Sequence, residues 1–221
     1  MRPWNRDLAA RLEARTGRRM IAVAAPEDLS GERLAPHDPQ YVFVPHWSHR
    51  IGPDVYELFE CLIFHMTDVP FGRGGSPLQN LIVRGHTETV MSVIRCGAEL
   101  DAGPVYLRRP LSLHGSAEEI YIRADALIEE MIVDILERTP EPVPQSGEAT
   151  TFRRRRPEDG ALTAGMTLDQ VYDQIRMLDA DGYPPAFLDV GLLRFEFNRV
   201  GRRSGRLEAS VTIRKAPEAR K

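Results

Sequence analysis

A histidine, His65, closes the apolar run CLIFHM (61–66), and the stiff, glycine-rich stretch TDVPFGRGGSP follows at once. Further along, Glu99-Leu100-Asp101-Ala102-Gly103 sets a carboxylate in a second loop. An imidazole beside a carboxylate has a defined use. The carboxylate orients the ring and favours its charged form, so the ring can exchange a proton near neutral pH. His65 and Asp101 are therefore the candidate catalytic pair if the fold unites them. A strand-end histidine also suits a purely structural role, and spacing alone leaves both open. Gly72, Arg73, Gly74 and Gly75 would let backbone come close to a ligand. Their spacing matches neither GxGxxG nor GxxxxGK[ST], so no phosphate-binding fingerprint is present. PHWSH (45–49) adds Trp47, which suits ring stacking or core packing, and the loop histidines His46 and His49. The histidines and acids do not fall at metal-ligand spacing, and no metal is expected. Cys61 and Cys96, the only cysteines, sit in apolar runs and read as buried free thiols.

The elements that must position these residues alternate. MIAVAA (20–25), YVFVPHW (41–47) and CLIFHM read as short strands, with a helix over 53–59 opened by Pro53. An amphipathic helix is predicted over 5–16, with Asn5 a candidate cap. SPLQNLIVRG (76–85) reads as a helix, TVMSVIRC (89–96) as a strand and GPVYLRRPLSL (103–113) as extended. Strands alternating with helices predict an α/β fold with a mostly parallel sheet. Ligands collect beyond the carboxyl ends of such strands. The clearest helix spans 118–137. Ile120, Ala124, Leu127, Ile128, Met131, Ile132 and Ile135 form one stripe, and Ser116 with Glu119 makes a capping box. TPEPVPQSGEAT (139–150) changes texture and reads as a linker or surface strap. The basic run Arg153–Arg156 suits either phosphate contact or a solvated turn. A helix over 168–178, then a hairpin from 192–200 and 206–215, close the chain before a disordered tail. The expected organisation is a catalytic domain over 1–138, a linker over 139–160 and a small C-terminal subdomain over 161–221.

The 221 residues carry a net charge of -3, which gives no bulk attraction to nucleic acid. An apolar share of 42% supports a core and excludes global disorder. No run reaches the roughly 18 apolar residues of a membrane span, and no secretory signal core opens the chain. A cytoplasmic protein without a membrane partner is expected.

The stretch FHMTDVPFGRGGSPLQNLIVRGHTETVMSVIRCGAELDAGPVY resembles the core of the 10-formyltetrahydrofolate-dependent formyltransferases. His65 matches that family's catalytic histidine, and Thr67 the serine two positions on. Pro70, Arg73, Gly74, Pro77 and Gln79 match the following loop and helix. Leu100-Asp101-Ala102-Gly103 matches the acidic motif, with Asp101 in the catalytic place. The resemblance covers roughly residues 40 to 140 and implies a Rossmann-like formyltransferase fold. It implies 10-formyltetrahydrofolate as co-substrate, with Pro45, His46, Trp47, Cys96, Leu100 and Gly103 around it. Thr67, Arg73, Gly74 and Gln79 are then the substrate-side residues.

VFVPHWSHRI and YDQIRMLDADGYPPAF resemble the sugar N-formyltransferases in particular. The expected acceptor is accordingly the amine of a nucleotide-linked amino sugar, with nucleic acid not expected as a partner and a homodimer implied by the relatives. The alternatives are a methionyl-tRNA formyltransferase-like enzyme and an inactive folate-binding relative. Two departures matter. The family asparagine two before the histidine is Ile63, which removes an amide donor. The family also opens with a central strand, whereas MRPWNRDLAARL begins at the first helix, so that strand is expected to be missing.

Overall fold

The computed structural model describes residues 5–217; the tail expected after the hairpin lies, from Glu218 on, outside them. In chain order the elements are α1 (Leu8–Thr16), α2 (Gly31–Leu34), β1 (Val42–Val44), α3 (Pro53–Tyr56), β2 (Cys61–His65), β3 (Arg73–Gly74), α4 (Pro77–Ile82), β4 (Glu88–Arg95), β5 (Val105–Ser112), α5 (Ala117–Arg138), β6 (Thr151–Phe152), α6 (Leu168–Arg176), β7 (Ala186–Val190), β8 (Leu193–Arg203) and β9 (Arg206–Lys215). The α/β class and the terminal hairpin match the sequence reading. The main sheet, ordered β1-β2-β4-β5, is mixed. β1 and β2 run parallel, whereas β4 is antiparallel to both β2 and β5. Helix α4 explains the reversal. Its six residues rise only about 9 Å, too little to carry the chain back along the sheet for a second parallel strand. The chain turns round instead and starts β4 beside the end of β2.

Helix α5 packs on this sheet as its stripe predicts. Ile120, Ala124, Ile128, Met131, Ile132 and Ile135 are buried. Ser116 accepts from the Glu119 N–H while the Glu119 carboxylate accepts from the Ser116 N–H at 2.7 Å. Helix α1 begins after Asp7 rather than Asn5, and Gly17 ends it in the left-handed region (φ 66). It buries Leu8 and Leu12 and sends two arginines to α5. Arg11 meets Asp125 at 2.8 Å and Glu129 at 2.6 Å, and Arg15 meets Glu129 at 2.8 Å.

The strand expected at MIAVAA is not one: Met20–Ala25 has no sheet partner among the described residues. A cavity of about 690 Å³ separates it from the free edge of β1. Ile21, Val23, Val42, Val44, Leu12 and Ile132 line it, so the segment's apolar side chains face a cavity instead of completing a ladder. Among the described residues no helix is long and apolar enough to cross a membrane.

Residues 139–160 wrap across the sheet as a bound strap. Val143 bridges Val105, and β6 pairs in parallel with β3. The C-terminal piece is a three-stranded antiparallel sheet, β7-β8-β9, packed on α6. Strand β7 was not expected: its five residues directly follow Pro184 and Pro185.

Candidate active site

β2 ends in His65, whose side chain is almost fully buried. Its Nε2 lies 2.8 Å from the Gly72 carbonyl. A carbonyl only accepts, so Nε2 carries a proton here. Its Nδ1 lies 3.5 Å from Asp101 Oδ2. The same carboxylate oxygen accepts the Gly74 N–H at 2.8 Å. Asp101 thus holds the ring with one lobe and the glycine loop with the same atom, and its backbone sits at φ 52 to do so.

The route by which Asp101 arrives differs from the expected meeting of parallel strand ends. His65 pairs with Ser92, four residues before Cys96, and the Cys96 N–H bonds the Cys61 carbonyl at the far end of β2. The 96–103 loop must therefore fold back roughly 14 Å along the sheet to reach the imidazole. Gly103 makes the fold possible, since a Cβ there would sit 2.0 Å from the Arg95 carbonyl oxygen.

The strap fixes both loops, and nothing in its sequence signalled this. Gln145 donates to the Asp101 and Gly103 carbonyls, each at 2.8 Å, and its own carbonyl accepts from Arg73 at 2.8 Å. Arg73 also pairs with Glu99 across the loop mouth at 3.1 Å. Thr150 accepts the Gly72 N–H at 2.8 Å. Thr67 is buried and reaches the Gly72 carbonyl at 3.3 Å. Gly72, at φ 70, is the hinge of this arrangement: a Cβ there would meet the Phe152 ring at 2.7 Å and Thr67 at 2.9 Å. Gly72→Ala is expected to cost about 2 kcal/mol, from left-handed backbone strain plus overlap. It should also lower turnover by more than tenfold, because the carbonyl that holds His65 moves. Thermal melting and initial rates on the purified variant check both.

The remaining candidates divide. Pro45, His46 and Trp47 follow β1 and line the cavity already described. His46 sits at φ 51, with Nε2 3.7 Å from Asp125 Oδ1 and its ring edge-on to Tyr121. Trp47 packs edge-on to His49 at 5.6 Å. Leu100 is exposed on the 96–103 loop. The Cys61 and Cys96 thiols face each other and are both free. Their mutual hydrogen bond, then burial, pushes Cys61 up, and the same bond lowers Cys96. Gln79 is buried, and its amide donates to the Met177 carbonyl at 3.2 Å, tying α4 to the C-terminal piece. Ile63 packs with Val69, Ile94 and Val105, an apolar setting that supplies no side-chain donor. In the basic run, Arg153 pairs with Asp159 at 2.7 Å and Arg155 donates to the Asp159 carbonyl at 2.6 Å. Arg153 and the Arg156 N–H hold the Asp159 carboxyl down at about 2. Among the described residues no group of three His, Cys, Asp or Glu is placed to hold a metal.

Known proteins share this arrangement over nearly the whole chain. A methionyl-tRNA formyltransferase from Clostridium thermocellum is 40% identical, with a TM-score of 0.95 over 98% of this chain and 96% of that one. The chain belongs to the formyltransferase family. Within this family, a methionyl-tRNA formyltransferase from Sorangium cellulosum is 31% identical over 137 residues, 59% of this chain. This formyltransferase spans only 43% of that relative's length. Residues 157–214 match the family model described as the methionyl-tRNA formyltransferase C-terminal domain. HypX from Aquifex aeolicus, solved with tetrahydrofolic acid, shares the fold at 18% identity, with a TM-score of 0.70 over 89% of this chain and 36% of that one. The expected nucleotide-linked amino sugar is overturned. Both relatives above 30% identity and the C-terminal domain point to the methionyl-tRNA branch.

Proposed function

We propose that this formyltransferase moves the formyl group of 10-formyltetrahydrofolate to the α-amine of methionyl-tRNA. The observation that carries the reading is His65, buried between the Gly72 carbonyl and Asp101, in a chain 40% identical to a methionyl-tRNA formyltransferase. The amine attacks the formyl carbon and forms a C–N bond. At rest the His65 Nε2–H is held by the Gly72 carbonyl at 2.8 Å; turned from that carbonyl to the substrate, it donates to the developing oxyanion. That donor matters because Ile63 offers none. As the bond to folate N10 breaks, the amine proton passes through His65 to the leaving nitrogen. Asp101 holds the ring in place throughout. On this reading folate lies between the 45–47 turn and the 96–103 loop.

Net charge argues weakly against tRNA, because attraction depends on where charge lies. The hairpin segment 192–215 holds seven Arg or Lys against two Glu. Arg199, Arg202, Arg203 and Arg206 crowd its tip, and Arg202 stacks over Tyr172 at 4.1 Å. Reversing Arg199 and Arg203 to Glu is expected to raise the KM for tRNA at least tenfold and reduce the salt slope of binding by about two. Folate affinity should not change. A KM within twofold of the parent would remove the hairpin from the acceptor site. The proposal itself is tested with purified protein, 10-formyltetrahydrofolate and methionyl-tRNA, reading formylmethionine by mass spectrometry. Folate binding without product would replace this reading with an inactive folate binder.

A further inference from the structure

Formyl transfer through His65 and Asp101 uses neither cysteine, yet the two stand opposite each other in the sheet. β2 and β4 are antiparallel, and Leu62 lies opposite Arg95. The next rung sets Cys61 opposite Cys96, and the Cys96 N–H bonds the Cys61 carbonyl at 2.7 Å. Opposite residues of a hydrogen-bonded antiparallel rung have Cα atoms about 5.5 Å apart and share one face of the sheet. A disulfide spans Cα separations of about 4.4–6.8 Å, so the rung has the width for one. The thiols differ in access. Cys61 is 1% exposed, while Cys96 opens the 96–103 loop and is only half-buried. The hydrogen bond from Cys61, helped by the Gly97 backbone, holds the Cys96 thiol below its ordinary range against the effect of burial. The same bond keeps the proton on Cys61. Cys96 is thus the thiol that ionises first, and the thiolate is the form that attacks an oxidant.

We infer that Cys96 and Cys61 are a peroxide-reactive pair that closes to a disulfide at the base of the loop carrying Asp101. The Cys96 thiolate attacks one oxygen of hydrogen peroxide. The O–O bond breaks, and hydroxide leaves and takes up the proton that Cys96 had lost. Cys96 becomes a sulfenic acid, its sulfur oxidised by two electrons. The Cys61 sulfur then attacks the Cys96 sulfur. An S–S bond forms, the S–OH bond breaks, and the Cys61 proton leaves with the hydroxyl as water. Two thiols and one peroxide give one disulfide and two waters, and an added dithiol reverses the change by exchange. Closure must move the loop. Opposite Cβ atoms lie about 4.5–5.5 Å apart in a strand pair, and a disulfide holds them near 3.8 Å. β2 is fixed between β1 and β4, so Cys96 gives way. The other end of the loop is pinned, because Gly103 lies against the Arg95 carbonyl and the Pro104 carbonyl accepts the Arg95 N–H at 2.9 Å. The shift of about 1 Å is therefore taken up over 97–102, with Asp101 among them, and a misplacement of that size can cost about 10²-fold in rate.

The test treats the purified full chain with a small excess of hydrogen peroxide, alkylates it under denaturing conditions and maps the peptides by mass spectrometry. The parent should lose both thiols to a link within one chain, two hydrogens lighter, and regain them in dithiothreitol. Cys61→Ala should stop at the sulfenic acid, which dimedone traps on Cys96. Cys61→Ser should do the same and guards against a folding defect of the alanine variant. Cys96→Ser should give no adduct on the buried Cys61. On oxidation, hydrogen exchange over 97–102 should change, and formyl transfer to methionyl-tRNA should slow at least tenfold and recover on reduction. The rate rests on the proposed acceptor; the peptide masses and the exchange do not. A reduced parent that transfers nothing therefore counts against the acceptor, and masses and exchange still decide the thiol pair. Two free thiols after peroxide, a dimedone adduct on Cys96 of the parent in place of the link, or a disulfide that leaves exchange over 97–102 unchanged overturns the inference.

Discussion

His65→Gln should reduce the turnover of formyl transfer by about 10²–10⁴-fold, the range lost when a positioned acid–base group is removed. Glutamine is the informative choice because its amide N–H can still reach the Gly72 carbonyl that Nε2 meets at 2.8 Å. The loop bond survives and the exchangeable proton does not. Folate binding and the melting temperature are expected to stay close to the parent. Asp101→Asn should cost less, about 10²-fold, because the amide oxygen can go on accepting the Gly74 N–H while the charge facing His65 is gone. The double variant should be no slower than His65→Gln alone, since residues that act as a unit are not additive. Single-turnover rates with saturating folate measure all three. A His65→Gln variant within a factor of about three of the parent would return His65 to the structural role that its burial also allows.

The sequence carried the site's residues better than its construction. His65 and Asp101 were singled out by a resemblance, and the structure brings them within 3.5 Å, a meeting that spacing alone could not state. The register shows why: Asp101 reaches the ring through a loop folded back over the sheet, a path that no local pattern encodes. Helix α5 was legible to within one residue at each end, because a long amphipathic stripe with a capping box marks its own boundaries. MIAVAA failed for the opposite reason. Six apolar residues satisfy a strand pattern, but a strand needs a partner, and a cavity stands where one would lie. Gln145 and Thr150 carry no signal at all. They act through backbone carbonyls and an N–H of distant loops, which any polar residue in a proline-rich stretch could be doing. The acceptor class was not legible because a net charge of -3 hides the local distribution: residues 192–215 hold seven Arg or Lys against two Glu.

That hairpin depends on a buried cation some distance from it, which leads to the largest expected stability effect. Arg176, at the end of α6, is 7% exposed. Its guanidinium donates to the Leu113 carbonyl at 2.6 Å, the Gly115 carbonyl at 2.9 Å and Asp173 at 2.6 Å. One planar fork thereby joins α6 to the corner between β5 and α5. Arg176→Met fills similar space but strands two carbonyls and a carboxylate, at an expected cost of about 3 kcal/mol. For a chain of this size the melting temperature should fall by roughly 6–12 °C. Arg176→Lys should recover only part of this, because an ammonium cannot reproduce the fork. α6 and β8 pack together, so the loosened corner should move the basic hairpin relative to His65. The KM for tRNA would then rise more than kcat falls, and folate affinity would hold. Calorimetry with steady-state kinetics reads both. Loss of stability with an unchanged KM would show that α6 anchors the fold without aiming the hairpin. A change below about 0.5 kcal/mol would mean that water satisfies the corner and that Arg176 is not its tie.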